Sequence, residues 1–147
     1  WQQARQQSPA VPDMMRVGSL EHLPEALRGL PGIRALSGVT DAQLQALYRQ
    51  ASRVWQPSYA EGFGLPVIEA LSVGTPVAVA SGTSLDEITP PSAPRFSPTD
   101  GPALVQLMLS LGERSDESSA EQRKQWAERY NPNAYRRRLA ELIEELK

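Results

Sequence analysis

The chain has 147 residues, 40% hydrophobic and 22% charged, with a formal net charge of −2. This is enough for one domain with a buried core, and it offers no bulk attraction for nucleic acid. There is no cysteine and one histidine, His22, which excludes disulfides, thiolate metal sites, a cysteine nucleophile, a histidine-rich metal site and an in-chain Ser-His-Asp triad.

Residues 1–7 read as the tail of a helix that begins before the chain does, ended by Ser8-Pro-Ala-Val-Pro12. Residues 13–18 read as a short strand, 21–30 as a helix and 32–36 as a second, weakly signalled strand. Thr40 is placed to cap a helix with Asp41 in its first turn and Leu44, Leu47 and Tyr48 along one face. Residues 53–57 form the next strand; a loop follows, and then a helix over 66–73 closed by Gly74. The continuous apolar run over 75–80, bounded by turn residues, predicts a buried parallel strand. A short helix over 85–88 leads into a proline-rich stretch, 90–98, with an edge strand at Arg95-Phe96. The last third is helical, over 101–111, 119–130 and 133–147. Strands alternating with helices predict an α/β, Rossmann-like parallel sheet with helices on both faces, in a single domain. Ligands of such sheets bind beyond the carboxyl ends of the strands.

No apolar run reaches the ~18–20 residues of a membrane span and no signal peptide is visible, so membrane contact is expected to be at most peripheral. The lack of cysteine fits a reducing cytoplasm.

The segment Glu61-Gly-Phe-Gly-Leu-Pro-Val-Ile-Glu69 carries most of the chemistry. The chain leaves a strand, makes a glycine-permitted turn and enters a helix at Pro66, a residue suited to a first helical position. Such a strand–loop–helix aims unpaired backbone N–H groups and the positive end of the helix dipole at one spot, which favours an anion, phosphate above all. A carboxylate on each side is not needed for phosphate and suggests a polyhydroxylic group there as well. Helical side chains tilt toward the N-terminus, so Glu69 leans back toward the glycine loop, where its two oxygens suit a vicinal diol such as a ribose. Glu61 is expected to face the same cavity from the other side. The plainer reading makes Glu69 a partner of the helix dipole and Glu61 a solvated loop acid.

Residues 36–98 resemble the C-terminal, donor-binding domain of GT-B glycosyltransferases, specifically the retaining group known as family 4. The matching text is Leu36-Ser-Gly-Val-Thr-Asp41, Leu47-Tyr48, Pro57-Ser58, Glu61-Gly-Phe-Gly-Leu-Pro66, Glu69-Ala-Leu71, Gly74-Thr-Pro-Val77, Ser84-Leu85 with Glu87, and Phe96-Ser-Pro98, in the family's order and spacing. The resemblance implies transfer of a hexosyl group from a UDP-, GDP- or ADP-sugar to a glycan, lipid or small-molecule acceptor, with retention and with no metal or other cofactor. It implies that Glu61 contacts the donor sugar under the anomeric carbon, and that backbone amides of Phe63, Gly64 and Leu65 bind the sugar and diphosphate. It places Glu69 on the ribose, Gly18 at the nucleotide cleft, and Arg34 or the 36–39 segment near the base.

The match departs from the family in its cations. The family neutralises the diphosphate with an Arg and a Lys at the start of this domain, whereas the lysines here are Lys124 and Lys147. The expectation is therefore an N-terminally partial domain, separated from its acceptor-binding domain and inactive alone, with residues 119–147 packing on it or crossing toward that other domain. Two rivals remain: a non-catalytic sugar-nucleotide-binding or scaffold module, and a retaining glycoside hydrolase using Glu61 and Glu69 as its carboxylate pair. His22 reads as a surface residue and Trp55 as core. Arg136, Arg137 and Arg138 read as the polar side of an amphipathic helix, with Arg137 paired to Glu141.

Overall fold

The computed structural model describes residues 1–113 and 118–145. Among these, five short strands alternate with helices: α1 (Gln2–Gln7), β1 (Met14–Val17), β2 (Ile33–Leu36), α2 (Asp41–Gln50), β3 (Val54–Gln56), α3 (Leu65–Ser72), β4 (Val77–Ala80), α4 (Leu85–Ile88), β5 (Arg95–Phe96), α5 (Gly101–Glu113), α6 (Ala120–Glu128) and α7 (Pro132–Glu145). Every strand pairing is parallel, as the alternation of strand and helix requires.

The ladder is in two parts. β1 pairs with β2, Met14 opposite Ile33, while β3, β4 and β5 pair in that order, with Val54 opposite Val77 and Val79 opposite Arg95. Trp1 helps tie the first pair to the rest. Its ring packs with Ala4, Val11, Val105 and Met108, lies against Gly32 at the start of β2, and donates Nε1 to Pro12 O at 2.8 Å.

β4 is buried along its whole length, and its alternating side chains divide the core. Val77 and Val79 face Val67, Ala70 and Leu71 of α3, with Tyr48 of α2 and Ala127 of α6 in the same cluster. Ala78 and Ala80 face the other way, toward Phe96 and toward Leu104 and Leu107 of α5. Helices therefore cover both faces. Trp55 packs on this second side, its ring 5.8 Å from that of Phe96, as expected of a core residue.

The helix expected over 21–30 does not form. Two 3-10 turns, Leu20–His22 and Glu25–Leu27, take its place. Pro24 explains the difference: it has no N–H to continue a helix and disfavours helical geometry at the residue before it. Arg28 is already extended, with φ −69° and ψ 128°, and its guanidinium donates to Leu23 O and Glu21 O at 2.9 Å each. His22 is exposed, as expected.

α6 is clamped to the end of α3. Arg123 is 9% exposed and donates Nε to Gly74 O at 2.7 Å, meeting a carbonyl at the negative end of that helix. Trp126 Nε1 donates to Ile88 O and the Tyr130 hydroxyl to Glu87 O, both at 2.8 Å, so the same segment also holds α4. α7 differs: none of its described residues is buried, and Tyr135, Leu139, Leu142 and Ile143 are exposed. The expected Arg137–Glu141 pair is not formed; both residues are exposed, where an ion pair gains little over solvation. Leu146 and Lys147 of the predicted last helix lie outside the described residues.

Candidate functional site

The loop after β3 and the loop after β4 leave from the same end of their parallel sheet and meet there. Ser84 Oγ donates to Glu61 O at 2.7 Å and pins the first loop to the second. The chain then turns into α3 through Gly64, whose φ of +87° lies in the left-handed region. A side chain here is opposed twice, by that backbone and by packing, since a Cβ would lie 2.5 Å from Leu85 Cδ2 and 2.7 Å from Ile88 Cδ1 and would force those side-chain ends to shift. The tight seat of Gly64 against α4 sets where the N-terminus of α3 points.

Gly64 O accepts from Val67 N at 2.9 Å, and Pro66 has no N–H to satisfy. Among the described residues, the N–H groups of Phe63, Gly64 and Leu65 donate to no protein acceptor. Three adjacent free donors thus sit at the positive end of the helix. Phe63 and Leu65 are 44% and 60% exposed, so this cradle opens to solvent.

Each motif acid is held by a neutral donor. Gln56, the last residue of β3, donates Nε2 to Glu61 Oε2 at 2.9 Å and to Ser58 Oγ at 2.8 Å. The hydroxyl of Tyr48, on α2, donates to Glu69 Oε2 at 3.2 Å. Neither acid forms an ion pair among the described residues, so each has further lone pairs open to a ligand. Glu69 is exposed rather than enclosed. Burial, followed by the charge and then the hydrogen bond of Glu69, pushes the Tyr48 phenol up to about 12.

Glu61, Phe63, Gly64, Leu65 and Glu69 thus share one strand–loop–helix, whereas Gly18 and Arg34 belong to the β1–β2 pair. Gly18, with φ +137° and open space where a Cβ would lie, donates its N–H to Leu36 O at 2.8 Å and closes the carboxyl end of that pair. Arg34 is exposed in the body of β2, opposite Met15, two residues before the strand ends. Gln56, Tyr48 and Ser84 are site residues that sequence reasoning passed over as such. A glutamine inside an otherwise apolar strand just before the motif is the available signal for Gln56; Tyr48 is legible as part of an apolar stripe and of the family resemblance, but not as a partner of Glu69. Two open grooves, of about 310 Å³ beside Pro90 and Trp126 and about 540 Å³ between β5 and α5, have no motif residue in their walls. Among the described residues, no group of three or more His, Asp or Glu side chains is placed to hold a metal ion. No helix among them is long and apolar enough to cross a membrane.

The sequence profile of glycosyl transferases group 1 matches residues 17–128, from the end of β1 through α6. The chain belongs to this family. Among similar curated proteins are O-antigen chain mannosyltransferase B of Escherichia coli, 39% identical over 84 residues, and MMP α-(1→4)-mannosyltransferase of Mycolicibacterium hassiacum, 37% identical over 82 residues. D-inositol 3-phosphate glycosyltransferase of Salinispora tropica is 41% identical over 91 residues. The matches take in 56%, 54% and 52% of this chain but only 22%, 20% and 19% of those proteins. The chain therefore spans about a fifth of their length. The fold is similar to that of sucrose-phosphate synthase from Thermosynechococcus elongatus, with a TM-score of 0.58 and 25% identity over 78% of this chain and 30% of that one. This glycosyltransferase-family chain has the α/β architecture of the C-terminal half of a GT-B fold.

Proposed function

We propose that the chain is the donor-nucleotide domain of a retaining glycosyltransferase, which moves a hexosyl group from a nucleotide-diphosphate sugar to an acceptor bound by another part of the protein. The observation that carries this reading is the open cradle of free amides at Phe63, Gly64 and Leu65, set between two acids that are each held by a neutral hydrogen bond. Free amides at a helix N-terminus suit a diphosphate. Two retained negative charges do not, so the acids are matched to hydroxyl groups on either side of it. Glu61 then binds the donor sugar beneath the anomeric carbon, and Glu69, about 6 Å along the helix axis from Leu65, binds the ribose. Gly18 borders the nucleotide and Arg34 lies near the base. Two of the similar proteins are named as mannosyltransferases and a third as a D-inositol 3-phosphate glycosyltransferase, which supports hexosyl transfer.

Fixed dipoles stabilise the leaving diphosphate without a metal in this scheme. Much of the rate in such a transfer comes from positioning two substrates together. The 147-residue chain alone is therefore expected to bind nucleotide weakly and to transfer no sugar. The test is a thermal-shift panel: UDP, GDP and ADP on one side, neutral oligosaccharides on the other. At least one nucleotide is expected to raise the melting temperature while the oligosaccharides leave it unchanged. Protection by oligosaccharides alone would replace this reading with the glycoside hydrolase one.

A further inference from the structure

The Tyr48–Glu69 hydrogen bond joins two helices through residues 21 apart in sequence, and it does so at the outer end of a buried side chain. Tyr48 itself is firmly placed. It is 9% exposed and sits in the core cluster with Val67, Leu71 and Val77. Its carbonyl accepts from Thr75 Oγ1 at 2.6 Å, just before β4. α2 is fixed at its start by a full capping box, in which Thr40 Oγ1 accepts from Gln43 N while Gln43 Oε1 accepts from Thr40 N at 2.9 Å. Glu69 is the opposite case: exposed, long, and fastened by Tyr48 at Oε2 while no protein donor reaches Oε1 among the described residues.

An exposed glutamate free in solvent loses on the order of 1–2 kcal/mol of rotamer entropy when a ligand fixes it. A donor mounted on the core removes much of that loss beforehand, which is how preorganisation raises affinity. The type of donor matters as well. A lysine or arginine here would neutralise the carboxylate and fill its lone pairs, whereas a phenol fixes one oxygen and leaves the charge and the other oxygen for hydroxyl donors. We propose that Tyr48 is a positioning residue for nucleotide recognition, orienting the Glu69 carboxylate toward the ribose hydroxyls without touching the ligand. This inference rests on the donor-site reading above and adds a residue and a division of labour to it. The raised phenol pKa agrees with it, since the hydroxyl stays protonated and available as a donor throughout the physiological range.

A purely structural role, fastening α2 to α3, predicts a general loss of stability and an even loss of affinity for every ligand. A positioning role predicts a loss confined to ligands with ribose hydroxyls. The experiment measures, by titration calorimetry, the affinity of UDP, GDP and ADP beside their 2′,3′-dideoxy analogues for the wild type and for Tyr48→Phe. The wild type is expected to prefer the nucleotide with ribose hydroxyls, and Tyr48→Phe to lose about fivefold in affinity for it, the worth of one hydrogen bond. Affinity for the dideoxy analogue should be unchanged. If the wild type binds both forms alike, or binds neither, the ribose role of Glu69 is wrong and this inference falls with it. If the wild type discriminates and Tyr48→Phe discriminates equally well, the donor-site reading stands and only the role of Tyr48 is lost. A second readout needs no ligand: in a Glu69→Gln variant the Tyr48 phenol should ionise at lower pH, followed by tyrosinate absorbance. An unchanged titration would show that the two side chains are not coupled and would overturn the inference independently of nucleotide.

Discussion

Gly64 is the residue on which the candidate site turns. Its left-handed backbone and its seat against Leu85 and Ile88 each oppose a Cβ. Forcing an L-residue into that conformation costs roughly 1–2 kcal/mol, and overpacking a filled core typically another 1–3 kcal/mol. Gly64→Ala should therefore destabilise the chain by about 2–5 kcal/mol, seen as a lower urea midpoint; a loss under about 0.5 kcal/mol would mean that the turn is not held as described. Tyr48 gives a pH signature at the same scale. Its folded pKa, about 12, is raised above the ordinary 10.0. The associated stabilisation is then complete below the unfolded value and is lost as pH rises through the folded one. Between pH 10.0 and about 12 the stability of the wild type should fall more steeply than that of Tyr48→Phe, measured by urea unfolding at each pH. Glu61, Gly64 and Glu69 could be singled out from residue order because glycine, proline and acid positions in one short segment carry their own conformational meaning. Their partners could not. Tyr48 and Glu69 meet only after two helices pack, and an aromatic ring on an apolar stripe reads the same whether or not its hydroxyl has work to do.

At the scale of elements, α6 decides how firmly α3 and its N-terminus are held. Arg123 closes the carboxyl end of α3 through Gly74 O and also meets Ser118 O and Oγ, all from a largely buried position. Arg123→Met keeps most of the volume but leaves the Gly74 carbonyl without its charged donor, and should cost about 2–3 kcal/mol by chemical denaturation. Glu121→Ala, which removes an exposed first-turn acid and its contact to Lys124 at 4.0 Å, should change stability by less than about 1 kcal/mol. Equal effects from the two would show that Arg123 does no more than a surface charge. Element order is readable where punctuation is strong: Thr40 with Asp41, Gly74 after an apolar helix, and the unbroken run of β4. Residues 21–30, expected as one helix, form two 3-10 turns because Pro24 stands inside the segment and breaks it.

For the whole molecule, parallel strands with helices on both faces bring the β3 and β4 loops to one end, and the motif lies there. That much follows from alternation of element types and was legible beforehand. The division of the ladder between β1–β2 and β3–β4–β5 was not, because which edges pair depends on hydrogen bonds between segments that sequence pattern does not specify. Family membership is shown over residues 17–128, and the chain spans about a fifth of its curated relatives. The central claim concerns place: that this chain takes a nucleoside diphosphate at the amides between Glu61 and Glu69. Amide proton–nitrogen NMR during a titration with UDP, GDP or ADP tests it most directly. The account predicts that the largest shifts fall on Phe63, Gly64 and Leu65 and are lost in Glu69→Ala. Shifts centred instead on the groove beside Pro90 and Trp126, or no shift with any of the three nucleotides, would contradict it.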